Sequence, residues 1–212
     1  MFITFEGIEG VGKTTQLKSA AERLTLAGIP NLVTREPGGT EMGEEIRDIL
    51  LAHRNEPVIP MTELLLMFAA RVQHVATVIQ PALTKGYWVL CDRFVDASYA
   101  YQGGGRGISM KDIGILEQLT LGDFRSDHVF LFDAPVMVGL NRVKGRGIAH
   151  DRFEQEKTEF FERIRNAYLM RAKKEVNRYS LIDATKSMTE IQNSVSNIIQ
   201  HLIEQYEHQK LA

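Results

Sequence analysis

Gly7-Ile8-Glu9-Gly10-Val11-Gly12-Lys13-Thr14 follows directly on the short apolar run Phe2-Ile3-Thr4-Phe5-Glu6. The octapeptide fits the pattern G-x-x-x-x-G-K-S/T. In that pattern glycines let backbone N–H groups turn inward around a β-phosphate, the lysine reaches the β/γ oxygens, and the final hydroxyl ligates Mg²⁺. The apolar run reads as a buried strand, and the stretch from Lys13 to about Ala27 reads as a helix. Strand, phosphate loop and helix in that order predict a nucleoside triphosphate site. Its candidate contacts are Gly7, Ile8, Glu9, Gly10, Val11, Gly12, Lys13, Thr14 and Thr15, with Thr14 on the metal.

Outward from this segment, apolar runs alternate with longer amphipathic stretches. Strands are predicted at Phe2–Glu6, Asn31–Arg35, Tyr87–Asp92, Asp127–Asp133 and Tyr179–Asp183. Helices are predicted near Thr14–Ala27, Glu41–Ala52, Met61–Lys85, Met110–Leu121, Val136–Val143, Phe153–Val176 and Met188–Gln209. Leu64, Phe68, Val72, Val75, Ile79 and Leu83 recur every three or four residues, which is helical spacing. The fold class that follows is α/β: a three-layer phosphate-loop NTPase fold, with a five-stranded parallel sheet and helices on both faces.

The 212 residues, 44% of them hydrophobic, suit one well-filled core, so a single domain spanning 1–212 is expected. A net charge of −2 gives no reason to expect a nucleic-acid or membrane partner. The single cysteine, Cys91, cannot form an internal disulfide, and neither a signal peptide nor an uninterrupted apolar stretch of membrane-spanning length is read in the sequence. A cytoplasmic location is expected.

In an open α/β sheet, ligands gather beyond the carboxyl ends of the strands. The second predicted strand ends at Arg35-Glu36-Pro37-Gly38-Gly39-Thr40, and the third at Asp92-Arg93. Two arginines at strand tips beside a triphosphate loop suggest a second anion facing the first, and hence phosphoryl transfer to an acceptor that already carries phosphate. The alternative for each arginine is a surface ion pair, with Glu36 or Asp96 as partner.

FEGIEGVGKTT (5–15), REPGGT (35–40), FAAR (68–71), DRF (92–94), AYQGGGRG (100–107) and DRFEQE (151–156) occur in this order and spacing. Together they resemble the thymidylate kinase family over nearly the whole chain, from Phe2 to about Thr185. The resemblance implies transfer of the γ-phosphate of ATP to dTMP with Mg²⁺, in a protein that pairs as a homodimer. It implies that Arg35 and Arg93 hold the acceptor phosphate, that Asp92 organises Mg²⁺, and that Glu9 approaches the sugar 3′-hydroxyl. It also implies that Arg71 donates to O4 of thymine, that Ser98 and Gln102 bond the base edge, and that Tyr101 crowds the sugar C2′.

The family places a stacking ring four residues before the arginine, where this chain has Met67. Phe68 stands three before, and it is taken as the stacking residue with Met67 at the edge. The glycines after Gln102 are read as letting backbone approach the ligand. A basic segment, Arg142 to Arg152, is read as a lid over the triphosphate: Arg142 is a nucleotide contact, and Arg146 and Arg152 are the charges that meet the transferring group. Asp151 with Glu154 fits a helix capping box, and Asp133 is expected to help start a helix. The catalytic set is therefore Lys13, Asp92, Arg93, Arg146 and Arg152. Two rivals stay open: a deoxynucleoside kinase with Asp92 as base, and a nucleotide-dependent switch, although no Asn-Lys-x-Asp motif is present.

Overall fold

The computed structural model describes residues 1–145, 153 and 156–211, with the side chains of 209–211 left aside. Five strands, β1 (Phe2–Glu6), β2 (Asn31–Arg35), β3 (Trp88–Asp92), β4 (His128–Asp133) and β5 (Tyr179–Asp183), form one sheet in the order β2-β3-β1-β4-β5. All neighbours are parallel, with Phe5 opposite Asp92 on one side and Phe130 on the other. The first strand is thus central, and the order changes direction on either side of it. That is where an open sheet leaves a crevice.

Side chains alternate across the pleat, so β1 and β3 each feed two cores. Ile3, Phe5, Trp88, Leu90, Phe130 and Phe132 pack on one face with α1 (Lys13–Leu26), α8 (Thr158–Lys174) and α9 (Met188–Leu211). Phe2, Val89, Cys91 and Phe94 pack on the other with α3 (Pro60–His74). Cys91 is a buried core thiol, and burial followed by the charge of Glu36 pushes its pKa up. The remaining helices are α2 (Glu41–Leu51), α4 (Gln80–Thr84), α5 (Val95–Ser98), α6 (Met110–Leu121) and α7 (Val136–Lys144).

Two departures from the sequence reading have local causes. The single helix expected over Met61–Lys85 is α3, a π-helical turn at Val75–Ile79, and α4. Pro81 has no N–H to give and its ring crowds the carbonyl four residues back, so the helix widens just before it, and Gln80 N–H reaches Val75 O instead. By length and composition the stretch Pro60–Thr84 could cross a membrane, yet its Leu64, Phe68, Val75 and Ile79 are packed in the core beneath the sheet.

The second departure is Val95–Gly105, where no helix is expected. Here α5 runs into a π-helical segment, Tyr99–Gly105. A Cβ on Gly104 would stand 2.7 Å from that of Ala167, and one on Gly105 2.5 Å from the Phe160 ring. These glycines therefore let α8 close onto the segment, rather than opening backbone to a ligand.

Candidate active site

The loop after β1 turns through Gly7–Gly12 into α1. Gly10 adopts φ 74°, and a Cβ there would lie 2.1 Å from the carbonyl oxygen of Gly139 in α7, so no other residue fits. Lys13 is folded beneath the loop, its Nζ donating to Gly7 O at 3.0 Å and Ile8 O at 2.7 Å. Burial, and next the positive charge of Arg93, bring its pKa down to about 8. The Thr14 hydroxyl donates to Asp92 Oδ2 at 2.9 Å, which ties the start of α1 to the tip of β3.

Arg93 holds φ 70°, alone among the described residues other than glycine in having positive φ. Such a conformation persists where the surroundings over-determine it, and here they do. Its Nη1 donates to Gly7 O at 2.9 Å and Tyr168 Oη at 3.2 Å, while Nη2 donates to Glu9 Oε1 at 3.0 Å. The guanidinium lies 4.7 Å from the centre of the Tyr101 ring, and the Tyr101 hydroxyl donates to the same Glu9 oxygen at 2.6 Å. Burial alone would lower the Arg93 pKa, but Tyr101, Tyr168 and Glu9 outweigh it and hold it above the usual range. Glu6 braces the turn from below, accepting from Phe94 N–H at 2.7 Å and from the Tyr168 hydroxyl at 2.8 Å. Burial first, and then nearby Asp96, raise the Glu6 carboxyl to about 8.

These groups open on a cavity of ≈ 270 Å³ whose walls include Glu9, Lys13, Thr14, Asp92, Arg93 and Tyr101. Glu36, Pro37, Arg47, Met67, Arg71, Ser98 and Gln102 complete it on the far side. Arg71 is buried there with three donations spoken for: Nε to Glu36 Oε2 at 2.6 Å, Nη1 to Ser98 Oγ at 3.0 Å, and Nη2 to Phe94 O at 3.0 Å. A guanidinium has five N–H groups, so the second hydrogen on each Nη remains for a ligand. His74 completes the support, its Nδ1 3.1 Å from Glu36 Oε1.

Several expected site residues stand elsewhere. Arg35 does not reach this cavity. Successive strand residues face opposite ways, so the inward turn of buried Glu36 sends Arg35 outward, where it pairs with Glu44 at 2.8 Å with 54% of its side chain exposed. Arg35 instead lines a separate groove beside Lys18 and Val78. On that side of the cavity, beside Arg71, stands Arg47 of α2, whose Nη1 donates to Pro37 O at 3.0 Å next to the cis Glu36–Pro37 peptide. Sequence reasoning passed over Arg47 because it sits mid-helix. The available signal was its place in the first helix after REPGGT.

Phe68 is likewise not at the cavity. With Leu64, four residues before it, Phe68 faces the core beneath the sheet, and the Arg71 guanidinium lies 4.8 Å over its ring from the other side. Met67 takes the cavity wall. Asp133 does not cap a helix: Arg165 grips both its oxygens, at 2.6 and 2.9 Å. Arg142 donates to Ala184 O at 2.9 Å, beside the end of β5. Arg146, Asp151, Arg152 and Glu154 lie outside the described residues.

Three comparisons bear on this geometry. Residues 5–195 match the family model described as thymidylate kinase. The chain belongs to the thymidylate kinase family. Curated thymidylate kinases of Pseudomonas fluorescens (strain Pf0-1) and Pseudomonas syringae pv. tomato are 53% and 52% identical to it, each over 96% of this chain and 97% of the relative. A crystal structure of thymidylate kinase from Ehrlichia chaffeensis superposes with a TM-score of 0.76 at 33% identity, over 94% of this chain and 98% of that one. The likeness to that thymidylate kinase structure spans nearly the entire fold.

Proposed function

We infer that the protein transfers the γ-phosphoryl group of ATP to dTMP, giving dTDP and ADP. The observation that carries this is the thymidylate kinase match over residues 5–195, which contains every wall of the cavity. A phosphate monoester is already a nucleophile, so no base need remove a proton. The work left to the protein is alignment and charge stabilisation. Lys13 and the loop amides take the donor phosphates. Arg93 and Arg47 take the acceptor phosphate, a role for which a forked guanidinium suits its oxygens. Glu9 and Tyr101 face the sugar, and Met67, Arg71, Ser98 and Gln102 face the base. Arg146 and Arg152 are proposed, from their place in the sequence alone, to meet the transferring group.

Mg²⁺ fits the oxygen pair Thr14 Oγ1 and Asp92 Oδ2, hard donors 2.9 Å apart at the cavity wall. Such an ion takes a few protein oxygens and completes its shell with water and phosphate, and when bound it offsets charge on the β- and γ-oxygens. We place the enzyme in the cytoplasm, where a buried unpaired Cys91 stays reduced. A homodimer is supported by exposed apolar side chains on helices that pack side by side: Met42 and Ile49 on α2, Leu65 and Val72 on α3, Ile115 and Leu119 on α6. Sedimentation should give twice the chain mass, and a monomer at micromolar concentration would count against pairing.

The deciding experiment for the activity is a coupled ADP assay with dTMP, dUMP, dCMP, AMP and thymidine as acceptors. ADP should form fastest with dTMP. A faster rate with thymidine would favour a nucleoside kinase, and ADP formation without any acceptor would favour a hydrolytic switch.

A further inference from the structure

Gln102 lies on the cavity wall with its amide held in one orientation. Its Nε2 donates to Glu63 Oε1 at 2.8 Å. Glu63, in the first turn of α3, is fully buried, and Arg106 Nε stands 3.4 Å from its carboxylate. Arg106 passes on to Glu156 at 2.5 Å and lies 4.6 Å over the Phe160 ring, so the cation is itself fixed. Glu63, with the Arg106 guanidinium beside it, serves as the acceptor, so the NH₂ end of the Gln102 amide is the one that meets it. The carbonyl end, Oε1, is left over, and among the described residues no donor meets it.

We propose that Glu63 is a specificity-determining positioning residue: by fixing the Gln102 amide it presents an acceptor to the base, and so selects a pyrimidine that carries N–H at position 3. This rests on Gln102 being a base contact. Thymine and uracil offer N3–H beside a 4-carbonyl, whereas cytosine offers a bare N3 beside a 4-amino group. Arg71 supplies donors and Gln102 Oε1 an acceptor, a pair that matches the first edge at both points and opposes the second at both. An amide free to rotate would lose half of that selection, because its NH₂ would satisfy cytosine N3. Gln102 alone therefore does not encode the preference. The buried carboxylate behind it does, with Arg106 compensating the cost of a charge in that place.

The test is steady-state kinetics of the full chain with dTMP and dCMP. Glu63→Gln leaves position 63 able to offer either end of an amide. It should lower kcat/KM for dTMP by about 10-fold, chiefly through KM, and reduce the dTMP-to-dCMP preference by a similar factor, with KM for ATP unchanged. Gln102→Glu sets two carboxylates face to face and should lower kcat/KM for dTMP by more than the first variant. Adding Glu63→Gln to it should recover at least about 10-fold, because the new amide at 63 can donate to the new carboxylate at 102, whose other oxygen still accepts from N3–H. A wild-type preference in Glu63→Gln, or no recovery in the double variant, would overturn the role given to Glu63. A Gln102→Leu variant with a wild-type KM for dTMP would instead remove Gln102 from the base site, and the inference with it.

Discussion

Arg93 Nη2 and Glu9 Oε1 stand 3.0 Å apart across the mouth of the phosphate loop, and the Tyr101 hydroxyl shares that oxygen at 2.6 Å. The pair joins the tip of β3 to the phosphate loop, and on the proposed assignment it would set the distance between acceptor and donor. Arg93→Ala should lower kcat/KM for dTMP by at least ~100-fold, and Arg93→Lys should recover little, since one ammonium nitrogen cannot span the partners that Nη1 and Nη2 divide between them. Kinetics within about threefold of wild type in either variant would refute the assignment.

The two arginines of the β2 side should separate cleanly in the same assay. Arg47 lines the cavity, whereas Arg35 is exposed and occupied with Glu44. Arg47→Ala should raise KM for dTMP by roughly 10- to 100-fold, the size of a lost charge-assisted bond. Arg35→Ala should change it by less than about threefold, as befits an exposed pair. The reverse ranking would restore Arg35 to the acceptor site.

Met67 and Phe68 divide function from packing. Phe68→Ala should cost about 3 to 5 kcal/mol of unfolding free energy, read by denaturant titration, because a buried ring leaves a cavity beneath β3. Met67→Ala should cost less than half as much, yet raise KM for dTMP by several-fold. Equal destabilisation by both would show that Met67 is core too.

How far the sequence carries is visible in these same residues. The phosphate loop, the parallel strands and the tip of β3 were legible because glycine pattern, apolar run and strand end are local signals that the fold cannot easily override. Arg35 and Phe68 stand off the cavity that Arg47 and Met67 line because the deciding quantity is direction. One residue along a strand reverses the face, and one along a helix turns it by about 100°, so a motif names the neighbourhood but not which neighbour points inward. The glycines at 104 and 105 look like a ligand loop in sequence, but the partner that needs them, α8, arrives from some sixty residues away. Glu63 gave no signal at all, since its meaning depends on Gln102 and Arg106 meeting it across two segments.

His128 gives a pH signature of stability. Burial first, and then Arg178, lower its pKa from 6.5 to about 4, while its Nε2 lies 3.0 Å from Ser180 Oγ. The folded state thus disfavours the charged ring. The stability that the neutral ring permits is full above pH 6.5 and is lost as pH falls from there toward 4, by an amount on the order of 3 kcal/mol. His128→Asn cannot take up a proton, so unfolding free energies measured from pH 7 to pH 4 should fall less steeply in the variant. Parallel curves would mean that His128 titrates alike in both states.

Lys13 should link ATP binding to proton uptake. Burial and Arg93 hold its pKa near 8, well below the usual value for lysine, so the unliganded site carries a neutral amine once pH exceeds about 8. A polyphosphate brought next to it favours the ammonium and raises the pKa again, so the nucleotide must bring a proton with it. Calorimetry at pH 8.5 in two buffers of different ionisation enthalpy should show an uptake of roughly three-quarters of a proton per ATP, and affinity should weaken as pH rises further. Lys13→Arg stays charged throughout this range and should abolish the buffer dependence. The same enthalpy in both buffers for the unmodified protein would mean that Lys13 is already an ammonium before the nucleotide arrives.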